Sequence, residues 1–196
     1  TKFMSGRKVI FATTPLVEVE LTALKPAQLK TLSTDATTAR LRRLNVGFQK
    51  LDAAALEAFG SAHWSGLRSI RLAGNRFGPA GAAALAKAAF PALEALELND
   101  AHLDDACVEA LVEAPFFPRL TNLEIGWNQG ITAQSVELVL RKGRSLKGLR
   151  VRGTGLTPGD LPWLGGLSAT LEQLHVSSQL EEAAVRAFGE RVKVTS

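Results

Sequence analysis

A chain of 196 residues with 46% hydrophobic and 21% charged residues has the composition of one folded domain or a modest stack of repeats, which excludes wholesale disorder. Aromatic residues make up only 6%, with no Tyr, so a core must be built mainly from Leu, Val, Ile and Ala, which suits thin repeated layers. The net charge of +4 and a pI near 9.5 are a mild imbalance, and only gathering on one face would make them a nucleic-acid signature. A single cysteine, Cys107, excludes an intramolecular disulfide framework, and no Cys/His group has zinc spacing. No apolar run approaches the roughly 20 residues that span a bilayer, so a soluble, cytoplasmic protein without membrane or cofactor is the expectation. The chain opens at Thr1 and not at Met, as a piece of something longer would, so the lack of a signal peptide carries little weight.

In chain order, Lys8-Val9-Ile10-Phe11 reads as a leading strand within an N-terminal cap over 1–15. Seven segments with the pattern L-x-x-L-x-L follow: Leu16–Val19–Leu21, Leu41–Leu44–Val46, Leu67–Ile70–Leu72, Leu93–Leu96–Leu98, Leu120–Leu123–Ile125, Leu146–Leu149–Val151 and Leu171–Leu174–Val176. Their first positions are spaced 25, 26, 26, 27, 26 and 25 residues apart. Alternate Leu residues on a short strand point inward. Beyond each strand lies a polar or turn residue, Asn75 and Asn128 in the best-formed copies, where an Asn side chain can bond turn backbone that is otherwise buried unpaired. An apolar anchor follows two positions later: Leu51, Phe77, Leu103 and Leu156, with Ile131 displaced by an extra residue in Trp127-Asn128-Gln129-Gly130.

The second half of each repeat turns helical. Pro79 to Ala88 is Ala-rich with Pro where a first turn tolerates it. Asp104 to Val112 carries acids at its start, and Thr132 to Arg141 ends near Lys142 and Arg144, both favourable to the helix dipole. Thr157-Pro158-Gly159-Asp160-Leu161-Pro162-Trp163 holds two prolines, which predicts a short or distorted turn in the sixth copy. Arg191-Val192-Lys193-Val194 reads as a closing strand within a C-terminal cap over 181–196.

The Leu and Asn positions resemble the leucine-rich repeat, L-x-x-L-x-L-x-x-N-x-L. A helix in every repeat, with a G-x-x-G-A-x-x-L-like start, resembles the ribonuclease-inhibitor subclass, and the short steps are nearest to its bacterial members. The resemblance covers about Leu16 to Val176 and implies an α/β solenoid, residues 1–196 in one domain with repeats over 16–180. Parallel strands would line a concave face and helices a convex one. It also implies a non-enzymatic module that binds a protein of unknown identity, or a recognition domain of a longer parent protein.

Strand positions 3 and 5, and those just past the strand, face outward on the concave side. The candidate contacts are therefore Arg43, Phe48, Arg71, Glu97, Asp100, Glu124, Trp127, Arg150 and Arg152, a basic–acidic–basic stripe. Arg71/Glu97 and Glu124/Arg150 also fall opposite each other as cross-strand ion pairs, worth about 0.2–1 kcal/mol each. Trp127 is either an interface anchor or a lid over its own loop, and Phe48 either a contact or a cover for the N-terminal cap. Catalytic chemistry finds no foothold. Cys107 occupies a helix-start slot that holds Gly81 and Ala55 in sister repeats, and His63, His102 and His175 fall at three different repeat positions. Arg40–Arg43 and Arg141–Arg144 are basic clusters, but the acidic stripe between them would repel phosphate, which argues against nucleic acid.

Overall fold

The fold follows from the repeat pattern. In a computed structural model, which describes residues 18–20, 39–60, 64–167 and 169–196, each copy contributes a strand only three residues long. These strands are β1 (Glu18–Glu20), β2 (Arg43–Asn45), β3 (Ser69–Arg71), β4 (Ala95–Glu97), β5 (Asn122–Glu124), β6 (Gly148–Arg150), β7 (Gln173–His175) and β8 (Lys193–Thr195). They form one parallel sheet in sequence order. The fourth position of each motif aligns with the next throughout, as in Ile70 with Leu96 and Leu96 with Leu123. The centre of each strand from β2 to β7 is buried and its flanks are more exposed, as period-2 alternation requires. Leu16, Leu21, His63 and the expected leading strand at 8–11 lie outside the described residues.

Helices return each repeat to the sheet: α1 (Ala53–Gly60), α2 (Gly78–Ala86), α3 (Asp105–Val112), α4 (Ala133–Lys142), α5 (Leu161–Leu164) and α6 (Glu181–Phe188). The architecture is an α/β leucine-rich-repeat solenoid, helices on the convex side and the sheet on the concave side. The sixth copy is distorted as its prolines predict, with a 3-10 turn at Pro158–Asp160 before a helix of only four residues. The closing strand begins two residues later than the sequence suggests. A turn from Gly189 to Val192 delays pairing until the Lys193 amide donates to Glu172.

Inward Leu, Ile and Val residues make one continuous core, including Leu44, Ile70, Leu96, Leu123, Leu149 and Leu174, all 2% exposed or less. The few aromatics are concentrated where the chain descends from helix to strand. Phe59 packs on Trp64 and Phe90, and Phe90 meets Phe116 edge-on, with ring centroids 4.7–5.6 Å apart.

Asn75 and Asn128 hold the ascending loops. Asn128 Nδ2 donates to the Leu98 and Ile125 carbonyls, both at 2.9 Å, and its Oδ1 accepts from the Ala101 and Leu103 amides at 2.9 and 3.1 Å. Asn75 does the same for the Val46 and Leu72 carbonyls and the Gln49 and Leu51 amides. Each Asn therefore serves its own turn and that of the preceding repeat. Asp105 adds a second tie between repeats, accepting from the Thr132 amide at 2.8 Å, the Thr132 hydroxyl at 2.7 Å and the Ser135 hydroxyl.

Asn128→Ala leaves several buried backbone groups without partners and is expected to lower stability by on the order of 3 kcal/mol. Gln129→Ala, at an exposed neighbour, is expected to cost less than about 0.5 kcal/mol. Urea denaturation followed by circular dichroism measures both, and equal costs would show that the Asn bonds contribute nothing special.

Candidate functional site

The outward candidates form two adjoining rows. In the first row, Arg71, Glu97, Glu124 and Arg150 are the last residues of β3 to β6. Arg71 pairs with Glu97 at 3.1 Å and Arg150 with Glu124 at 2.6 Å. The two carboxylates stand on neighbouring strands, with their residues in register. Asn99 Nδ2 lies between them, donating to Glu124 at 3.0 Å and to Glu97 at 3.3 Å, while its Oδ1 accepts from the Gly126 amide at 2.7 Å. Burial, and then the nearby Glu124 charge, push the Glu97 carboxyl above the ordinary Glu range despite Arg71 beside it. The pattern reading foresaw both ion pairs. It missed Asn99, which lies just past the strand and carries no spacing signal of its own.

The second row is the rim where the strands end. Phe48, Gly74, Asp100, Trp127 and Gly153 share one repeat position, and all five have left-handed backbone, with φ of 56°, 68°, 50°, 58° and 71°. A non-glycine residue there costs about 1–2 kcal/mol. The aromatic side chains lie across the glycine of the following repeat: a Cβ on Gly153 would stand 2.6 Å from the Trp127 ring, and one on Gly74 would overlap the Phe48 ring. Trp127 nevertheless stays 57% exposed and Phe48 66%. Trp127 therefore rests on the next repeat's loop and not on its own, and Phe48 likewise leans toward the next repeat and not toward the N-terminal cap. The Arg152 guanidinium sits 5.3 Å from the Trp127 ring centre, a cation–π stack.

Glu124, Trp127, Arg150 and Arg152 meet in one concave groove of about 570 Å³, which continues over Gln173, His175 and Thr195. His175 Nδ1 is 3.0 Å from the Thr195 hydroxyl. The remaining candidates do not line it, although Asn99 joins Glu97 to its edge and Asp100 shares a hollow with Trp127. Arg71 and Glu97 border a small hollow of about 80 Å³, Phe48 and Asp100 share a rim hollow of about 490 Å³ with Lys50 and Arg76, and Arg43 is exposed at the start of β2.

Chemically reactive groups are engaged structurally. Cys107 is 1% exposed within α3, and burial, with the neighbouring Asp104, pushes its thiol up to about 11. Asp104 caps the same helix, accepting from the Cys107 amide at 2.9 Å, and hydrogen bonds from Cys107 hold its carboxyl below the ordinary range. Burial opposes the charge on Asp105, but its bonds from Ser135 and Thr132 outweigh that and hold it low as well. Among the described residues, no group of three or more His, Cys, Asp and Glu could hold a metal ion, and no helix is long and apolar enough to cross a membrane.

Fold and repeat sequence together define a leucine-rich-repeat solenoid. A Leucine Rich repeat family profile matches residues 67–86, the third copy. The chain is 34% identical over 127 residues to a transport inhibitor response 1-like protein of Oryza sativa subsp. japonica, a match covering 59% of this chain and 22% of the rice protein. The match thus spans about a fifth of the length of that curated relative. Among solved structures, it resembles one of the yeast Rad7 and Elc1 complex at 12% identity and a TM-score of 0.51, over 95% of this chain and 65% of the other. The tropomodulin C-terminal domain of Caenorhabditis elegans is similar at 13% identity and a TM-score of 0.47, over 85% of this chain and 90% of the other.

Carboxyl-carbon NMR is expected to place the Glu97 midpoint above that of an ordinary Glu, and Glu124→Gln is expected to move it down without abolishing the shift. Because the folded value is raised, charged Glu97 opposes folding above that midpoint, and its contribution becomes more favourable as pH falls through it. A midpoint unmoved by Glu124→Gln would show that the two carboxylates do not interact.

Proposed function

We propose that the chain is a non-enzymatic scaffold that binds a partner protein through its concave face. The observation that carries this reading is Trp127: a large ring held in left-handed backbone, laid on Gly153 and stacked by Arg152, yet 57% exposed beside a groove. Backbone strain spent on keeping an apolar ring in water is typical of a contact site, and Trp and Arg are the residues that most often anchor interfaces. Arg43, Arg71, Glu97, Glu124 and Arg150 extend the surface along the strands, and Phe48 and Asp100 extend it along the rim. Nucleic acid fits less well, because Arg71 and Arg150 are engaged by Glu97 and Glu124 and the two acids face outward between them.

A second reading is favoured by the share of the rice relative that is matched: the chain serves as the recognition domain of a longer protein. Residues 1–196 then form a single repeat domain with caps at 1–15 and 181–196. A helix in each of the second to seventh copies supports the ribonuclease-inhibitor-like subclass. A bacterial source and a cytoplasmic location rest on repeat length and composition alone.

Trp127→Ala combined with Arg152→Ala is expected to reduce capture of specific partners from the source cell about tenfold or more, or about 1.4 kcal/mol. Arg186→Ala on α6 is the control and should leave capture unchanged. Quantitative mass spectrometry of the captured proteins, with melting curves confirming that both variants fold, makes the comparison. Equal capture by all three proteins would remove the concave face as the binding surface.

A further inference from the structure

We propose that the groove over β5 to β8 receives a short, extended, acidic segment of a partner protein, carrying one large apolar side chain that seats on Trp127. The proposal rests on the concave-face reading and names the chemistry of its occupant.

Charge is distributed unequally along the face. Over its C-terminal half stand Arg150, Arg152 and Lys193, all exposed, with the partly exposed His175 beside them. The one carboxylate lining the groove is Glu124, and it is already held by Arg150 at 2.6 Å and Asn99 at 3.0 Å. The positive charge there is therefore in excess. Arg152 is held over the indole, its Cζ 5.3 Å from the ring centre, and is paired with no carboxylate among the described residues, so its guanidinium can pair with one from a ligand.

The trough has the dimensions of an extended chain. Gly148 has no side chain, and Asn122 leans across the space a Cβ would occupy. The third strand position is thus low only at Gly148, between the exposed Asn122 and Gln173, and the charged row at the fifth position stands beside it. Crossing from β5 to β8 takes three strand spacings, roughly 14 Å, which about four or five extended residues cover. Glu97, Glu124 and Asp100 set the other limit. An acidic chain that continued toward β4 would meet their charges, so the segment is short and a long polyanion does not fit.

The test uses the full chain and a phage-displayed library of random 12-residue peptides. Enriched peptides are expected to be net acidic and to carry Phe, Trp, Leu or Ile. Fluorescence anisotropy of synthetic copies should show affinity falling with added salt, about thirtyfold or greater loss for Arg152→Glu with Lys193→Glu, and about tenfold loss for Trp127→Ala. Lys87→Glu with Arg144→Glu makes the same change in net charge at exposed positions just past α2 and α4, away from the concave face, and should alter affinity less than twofold. Enrichment of neutral or basic peptides, enrichment of none, or equal binding of acidic peptides to the reversed protein would overturn the proposal. So would displacement of the peptide by single-stranded DNA at equal or lower concentration. Basic peptides lost on Trp127→Ala would overturn the acidic occupant while leaving the concave face as the binding surface. Peptides indifferent to both charge-reversed pairs and to Trp127→Ala would overturn both.

Discussion

Everything on this scaffold depends on satisfying buried backbone in loops that have almost no secondary structure. Strands of three residues pair few groups, and the chain must then turn sharply over a Leu core. Asn75 and Asn128 answer that need, but only in every second copy. Gln49 and Ala101 stand where the intervening copies would have the Asn, and those copies borrow the next one instead. The Gln49 and Leu51 amides converge on the Asn75 oxygen, and the Ala101 and Leu103 amides on that of Asn128. For alternate amides to converge on one oxygen the loop must curl, and it does so with left-handed residues at Phe48 and Lys50 and again at Asp100 and His102. The structural unit of this stretch is thus a pair of repeats sharing one amide side chain.

That curl also builds the rim. The first left-handed position recurs in the second to sixth copies, and where it carries a ring, at Phe48 and Trp127, that ring is directed onto the neighbouring loop. Where the neighbour is glycine, a ring can lie flat on its backbone, as Phe48 does on Gly74 and Trp127 on Gly153. A flat ring on a glycine is held without being buried. The same loop geometry that keeps the turn hydrogen-bonded therefore produces a rigid, exposed aromatic, and rigidity before binding reduces the entropy lost on contact.

The sheet was legible in the sequence because its signal is periodic. Leu44, Ile70, Leu96, Leu123, Leu149 and Leu174 could be placed in register from spacing alone, and the partners of Arg71 and Arg150 followed from that register. The prolines at 158 and 162 likewise announced the shortened helix. The rim was not legible, since no residue type marks left-handed backbone when Phe, Asp and Trp occupy it. Glycine at 74 and 153 was the available hint, and it becomes one only when the five positions are aligned across copies. Asp105 escaped for a different reason. Acids at a helix start ordinarily serve that helix, as Asp104 does, and nothing local reveals that the second acid bonds Thr132 in the next repeat.

Self-neutralisation along the strands decides which part of the face remains electrostatically available. Arg71, Glu97, Glu124 and Arg150 run positive, negative, negative, positive, and each end pair closes on itself. The two inner acids still oppose each other, and Glu97 registers that opposition together with its burial. A ligand approaching this centre finds charges already matched and gains little beyond displacing an intramolecular partner. Beyond Arg150, Arg152 is matched to a ring and not to a carboxylate, and a cation–π contact compensates its charge only in part. Under the proposed concave-face reading, selectivity belongs to its flank, where an exposed ring and an incompletely compensated cation stand together, while the central row acts chiefly to keep the sheet's own side chains in order.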